Sequence, residues 1–155
     1  MLSKSQLYIP ALGGIYDRLA PYAELFLRGG LGIILIVHSL QKFVSWFGGS
    51  GMTGFIGLLQ KFGYPMPVAL GYFLAVTEFT CGVLLLLGLL TRPAAFVFGI
   101  FMLFGMHYTI NTGAHPFVWF KGGSELSIVF FLISAYFVVK GAGPLSLDRK
   151  AGREF

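Results

Sequence analysis

Residues Val68 to Leu90 read VALGYFLAVTEFTCGVLLLLGLL, a run interrupted by one ionisable side chain, Glu78. At 1.5 Å rise per residue a helix of this length spans about 35 Å, enough to cross a bilayer core of about 30 Å. The run is bounded by turn chemistry on both sides: Tyr64-Pro65-Met66-Pro67 precedes it and Thr91-Arg92-Pro93 follows it. Pro93 suits the first position of a following helix, where a missing N–H costs nothing. The stretch therefore reads as a membrane span joined to a second span by a very short turn.

Working outward, three further runs fit the same reading. A first span covers about 23–44 and contains GLGIILIV; a third covers about 94–110 and a fourth about 124–139, so that the second, at about 68–90, is central. Between the first two lies a Gly-rich stretch, WFGGSGMTG, followed by FIGLLQKFG. Its apolar run Phe55–Leu59 is too short to cross and predicts a re-entrant or surface helix closed by the YPMP turn. Trp119, in the loop of residues 111–122, stands where an interfacial aromatic is expected. Residues 1–22 carry apolar side chains at roughly helical spacing between Pro10 and Pro21, which predicts a short helix over about Ala11–Ala20 lying along the inner membrane surface. With Lys4, Asp17 and Arg18 interrupting it, this segment does not read as a cleaved signal, so the first span is expected to direct insertion itself. Residues 141–155 form a basic tail. The expected fold is thus an all-α membrane protein, a four-transmembrane-helix bundle in one domain at 23–140.

Composition agrees. The chain of 155 residues is 56% hydrophobic and only 11% charged, against about 25% charged in ordinary soluble domains. Seventeen Phe and 22 Gly suit lipid-facing surfaces and close helix contacts respectively. The net charge of +5 is scattered over loops and ends, which fits anionic lipid headgroups and not a nucleic-acid-binding patch. Lys4, Arg18, Arg92, Lys140, Arg149, Lys150 and Arg153 fall on one side of the spans and Lys42, Lys61 and Lys121 on the other. The positive-inside rule then puts both termini of this multi-pass chain in the cytoplasm. The single cysteine, Cys81, excludes an intrachain disulfide and reads either as a buried apolar filler or as a redox thiol.

Ionisable side chains at membrane depth are costly and usually face a bundle interior. Counting from the cytoplasmic ends, His38, Glu78, His107 and Glu125 fall at about 21, 18, 20 and 22 Å, nearly one level in the outer half of the membrane. Lys42 stands one turn from His38 on the same face. Arg28 lies near the inner end. Each has an ordinary alternative: Glu125 at a helix start, His107 bonded to a neighbouring helix, Arg28 and Lys42 reaching to headgroups. Glu78, in mid-span, is the hardest to explain that way. The order His, Glu, His, Glu also hints at an internal repeat. Two His and two Glu around a pseudo-twofold axis suit a metal, and two His a haem, but the Glu-x-x-His pair of di-iron bundles is missing. No metal site is assigned.

At this point the residues resemble a known family. Arg28, Gly32 and His38-Ser39-Leu40-Gln41-Lys42-Phe43 are similar to the first-helix pattern of the DoxX family. The run from Glu78 through Gly82 and the leucines to Gly88-Leu89-Leu90-Thr91-Arg92 resembles its second-helix signature, and Gly141-Ala142-Gly143-Pro144-Leu145-Ser146-Leu147-Asp148 its C-terminal motif. The resemblance implies a small four-helix inner-membrane protein, some of whose relatives resemble a subunit of an archaeal thiosulfate:quinone oxidoreductase and others of which work with thiol and oxidative-stress systems through partner proteins.

Three functions are carried forward. One is a redox-associated membrane subunit holding a small ligand such as a quinone in an outer-half polar pocket, with Glu78 and His107 handling protons, and His38, Lys42, Glu125 and Arg28 as ligand-binding or supporting residues. Soluble redox partner proteins would supply electrons, since no flavin or dinucleotide motif is present. Another is a non-enzymatic scaffold that recruits soluble partners through the basic tail. The third is a proton or small-solute carrier working as a homo-oligomer.

Overall fold

A computed structural model describes residues 7–111, 117–118 and 121–153. Among them the regular structure is entirely helical. Six α-helices follow in order: α1 Gly13–Phe43, α2 Gly51–Lys61, α3 Pro67–Leu87, α4 Thr91–Asn111, α5 Glu125–Lys140 and α6 Leu147–Ala151. Single 3-10 turns stand at Pro10–Leu12 and Trp46–Gly48. Three helices are long and apolar enough to cross a membrane: α1 with its preceding turn, α3 and α4. α5 is as apolar but has 16 residues, about 24 Å of rise.

Two boundaries differ from the sequence reading, for clear reasons. Pro21 does not end a helix. It lies inside α1, which runs unbroken for 31 residues, because proline costs one backbone hydrogen bond and a long apolar helix can tolerate that loss. α4 begins at Thr91, not after Pro93, because an outside carboxylate caps its first N–H groups, as described below. Trp119 lies outside the described residues.

The helices pack as two antiparallel pairs. α1 lies mainly against α3, and α4 mainly against α5, with α3 and α4 joining the pairs. The core combines Leu31 and Leu35 of α1, Cys81 and Leu85 of α3, Ala94, Ala95, Phe98 and Met102 of α4, and Phe137 of α5. Cys81 is thus a buried free cysteine packed in the core. Small residues set the closest approach: a Cβ on Gly32 would come within 2.7 Å of the Gly82 carbonyl oxygen and the Leu86 nitrogen. Those obstacles are backbone and cannot swing aside. Gly32→Ala is therefore expected to cost about 1–3 kcal/mol, read as a lower unfolding temperature in detergent; an unchanged temperature would mean that α1 and α3 do not pack at this glycine.

α2 lies across one end of the bundle, on α3 and α1. Gly71 of α3 lets it settle, since a Cβ there would crowd Ile56 at 3.1 Å. The chain reaches α2 through left-handed turns at Ser45, Phe47, Gly48 and Gly51, which the Gly-rich sequence makes affordable at two of the four positions. A short helix between the first two long ones is what the sequence predicts.

Candidate functional site

The end of the bundle opposite α2 is built around the turn from α3 to α4. Gly88 closes α3 in the left-handed conformation, and the Leu89 N–H returns to the Leu84 carbonyl. This leaves carbonyls of the last turn of α3 without partners, as at any helix C-terminus. Arg28 of α1 fills that need: Nη1 donates to the Leu85 carbonyl at 2.6 Å and to that of Leu86 at 3.3 Å, and Nη2 to Leu145 at 2.8 Å. A cation is well placed at the negative end of a helix. On the other side of the same turn, Asp148 caps α4. Its Oδ1 accepts from the Leu90 N–H at 2.8 Å and Oδ2 from that of Thr91 at 3.0 Å, while its own N–H donates to the Gly88 carbonyl at 2.9 Å. One turn is thus clamped by a cation on the helix that ends and an anion on the helix that begins. Ser146 orients Asp148 by capping α6, its hydroxyl accepting from the Arg149 N–H.

Arg28 is 1% exposed and Asp148 6%. Of the roles open to Arg28 (headgroup contact, ligand contact or structural support), its burial and three backbone acceptors fit structural support. It also treated residues 141–155 as a free basic tail, whereas Leu145, Ser146 and Asp148 are bonded into the bundle. Asp148 was visible only as part of a family motif, because a cap donated across 57 residues leaves no local signal.

Towards the other end, Lys42 and Glu78 form a direct ion pair between α1 and α3. The carboxylate is nearly enclosed and the lysine side chain 18% exposed. Lys42 Nζ also stands 5.0 Å from the centre of the Phe55 ring of α2, a cation–π distance. Phe55 is in turn a wall of a cavity of about 540 Å³. Phe55, Leu58, Leu59 and Phe62 of α2 form one side, Leu70, Phe73 and Leu74 of α3 another, and Phe101, Phe104 and Tyr108 of α4 a third, with Tyr64 and Pro65 at the connecting turn. Tyr108 meets Phe62 edge-on at 4.7 Å. The pocket is apolar and aromatic, with two phenolic hydroxyls in its lining. Leu74 lies one helical turn from Glu78, so the cavity and the ion pair are neighbours along α3.

The six residues singled out from sequence do not all converge. Lys42 and Glu78 meet. Arg28 belongs to the opposite end. His38 and His107 are exposed on α1 and α4, and Glu125 opens α5 half-buried. Of these side chains, Lys42 and Glu78 form the direct pair, and Glu78 is the buried member. The level argument fixed height but not azimuth, and side-chain direction about each helix decided the outcome. The pocket beside the pair was missed because its lining is apolar and drawn from three segments. Among the described residues no three His, Cys, Asp or Glu gather as metal ligands.

A buried Lys–Glu pair, a leucine-rich second helix ending in Gly-Leu-Leu-Thr-Arg, and a tail that recaps the following helix describe a small helical membrane protein whose three sequence motifs are all structural contacts. The DoxX family profile matches residues 23–111. The chain belongs to the DoxX family. It is 32% identical over 139 residues to an uncharacterised protein of Haemophilus influenzae, covering 86% of this chain and 94% of the relative. It is 35% identical over 124 residues to a Bacillus subtilis protein named "Putative oxidoreductase CatD", covering 80% and 83%. It is 32% identical over 137 residues to the inner membrane protein YphA of Escherichia coli, covering 84% and 91%. No solved structure matches.

Proposed function

We propose that this protein is a redox-associated membrane subunit that binds a quinone-class ligand in the cavity between α2, α3 and α4, beside the Lys42–Glu78 pair. It crosses the bacterial inner membrane four times, α5 being the fourth span, with both termini cytoplasmic. The observation that carries the reading is the pocket itself: about 540 Å³, walled by aromatic rings, next to a buried ion pair. Aromatic walls suit a planar ring, an apolar cavity among membrane helices suits a ligand delivered from the lipid phase, and a few polar groups fix its orientation. Tyr64 and Tyr108 supply hydroxyl donors for a ring carbonyl. Reduction of a quinone takes up two electrons and two protons; Glu78 is the nearest buried proton carrier, and a soluble partner provides the electrons. The name of the Bacillus subtilis relative points in the same direction.

The tail on which the scaffold reading relies is bonded into the bundle at Leu145, Ser146 and Asp148, while its basic residues Arg149, Lys150 and Arg153 stay exposed. Trimming residues 145–155 removes the Asp148 cap and an Arg28 acceptor, so it damages the bundle before it tests any partner.

Titration of the detergent-purified protein with a short-chain quinone tests the proposal. Saturable binding is expected, abolished by Leu74→Trp, which fills the cavity, and weakened about tenfold by Tyr108→Phe through loss of one hydrogen bond. Binding that ignores Leu74→Trp would place the ligand elsewhere.

A further inference from the structure

The first third of α1 outruns the bundle. Glu24 carries cross-helix bonds at this end: Tyr136 donates to its carboxylate at 3.3 Å, and Lys140 stands at 3.6 Å. Residues Gly13–Ala23 precede that point, about 16 Å of helix, and of these only Gly13 is buried. Yet the segment is not polar all round. Ile15, Leu19, Tyr22 and Phe26, spaced four, three and four apart, form one stripe. Ile33 continues it seven residues on, along the outward face of the membrane-spanning part. These five side chains are between 49% and 74% exposed among the described residues. Asp17 lies on the opposite side, seven residues before Glu24 and in line with it, and Glu24 faces the bundle.

The stripe is thus a direct continuation of the lipid-facing surface past the point where the bundle stops. Pro21 decides where it goes. Its ring displaces the carbonyl of Asp17, four residues earlier, and opens the helix on the Asp17–Pro21 side. A bend there closes toward the other side, the stripe. Bending outward from the bundle axis brings an outward-facing apolar stripe down onto the membrane surface. Asp17 then points to water, and Arg18 reaches the headgroup layer that Arg149 and Lys150 of α6 also face.

We infer that Gly13–Tyr22 is an interfacial arm, hinged at Pro21, whose Ile15–Leu19–Tyr22 face is buried at the acyl boundary of the cytoplasmic leaflet. The bilayer is its partner, and anionic headgroups strengthen the contact. This inference is independent of the ligand proposal.

Single-cysteine labelling tests it, since Cys81 is the chain's lone cysteine. In a Cys81→Ser background, Leu19→Cys and Asp17→Cys are labelled with an environment-sensitive fluorophore, and the full chain is placed in phosphatidylcholine–phosphatidylglycerol nanodiscs with nitroxide-bearing lipids. The label at position 19 is expected to emit in the blue and to be quenched by the lipid nitroxide several-fold more than the label at position 17. Adding Pro21→Ala is expected to straighten the arm and reduce that quenching while the unfolding temperature holds. Water-like, equally unquenched emission at both positions overturns the inference, as does blue emission at position 19 that the lipid nitroxide leaves untouched, which would assign the stripe to a second copy of the chain.

Discussion

Arg28→Met is expected to leave little folded protein. The guanidinium serves three carbonyls on two segments, Leu85 and Leu86 at the end of α3 and Leu145 before α6. Removing it takes the side-chain donor from those acceptors, leaving Leu85 with the Gly88 N–H at 3.2 Å, and leaves Asp148 as a buried anion with only its backbone donors. Truncating one member of a buried charged cluster costs about 3–5 kcal/mol, a large part of the stability of a domain this small. Arg28→Lys is expected to recover only part of the loss, because an ammonium cannot reach the acceptors with the two-pronged geometry of the guanidinium. Monodisperse yield in detergent and the midpoint of thermal unfolding read both variants. Wild-type behaviour of Arg28→Met would show that the turn between α3 and α4 is held by something else. Asp148→Asn belongs to the same test with a smaller effect, since the amide oxygen still accepts one N–H while the charge that favours the N-terminus of α4 is lost.

The second large effect concerns Lys42 and Glu78. Each single replacement, Lys42→Met or Glu78→Leu, leaves its partner as a lone charge at membrane depth, and about 3–5 kcal/mol is expected to be lost. The double variant removes both charges and replaces them with apolar side chains, so stability should return close to that of the parent. A double-mutant cycle by chemical or thermal unfolding measures the coupling. Additive losses would mean that the two side chains do not depend on each other. The same double variant separates fold from the proposed function: it should fold, yet it lacks the carboxyl to which the ligand proposal gives proton transfer.

The membrane class, three of the long helices and the short intervening helix were legible because apolar run length and turn residues act locally. Glu78 stood out for a sound reason, being too deep to reach either surface, and the structure gives it Lys42. His38 and His107 are exposed on α1 and α4, a direction around the helix that depth along it does not specify. Pro21 was over-read: a proline inside a helix removes one backbone hydrogen bond and favours a bend without having to end the helix, and α1 continues on both sides of it. Asp148 and the aromatic cavity were out of reach for the same reason, since each joins residues distant in sequence through contacts that no spacing rule encodes. The family motifs make physical sense once folded. Arg28, Gly88, Thr91 and Asp148 converge on one turn, so these motif residues describe how α3 and α4 are joined.

The ligand site therefore rests on the cavity and the adjoining ion pair. Its most direct test is photoaffinity labelling with an azido-quinone in the native membrane, followed by mapping of the modified residues. The label is expected on α2 and the turn after it, among Phe55, Phe62 and Tyr64, and on α4 among Phe101, Phe104 and Tyr108, with protection by excess unmodified quinone. Label confined to the outward faces around Ile33 or Phe96, or label that excess quinone does not displace, would contradict it.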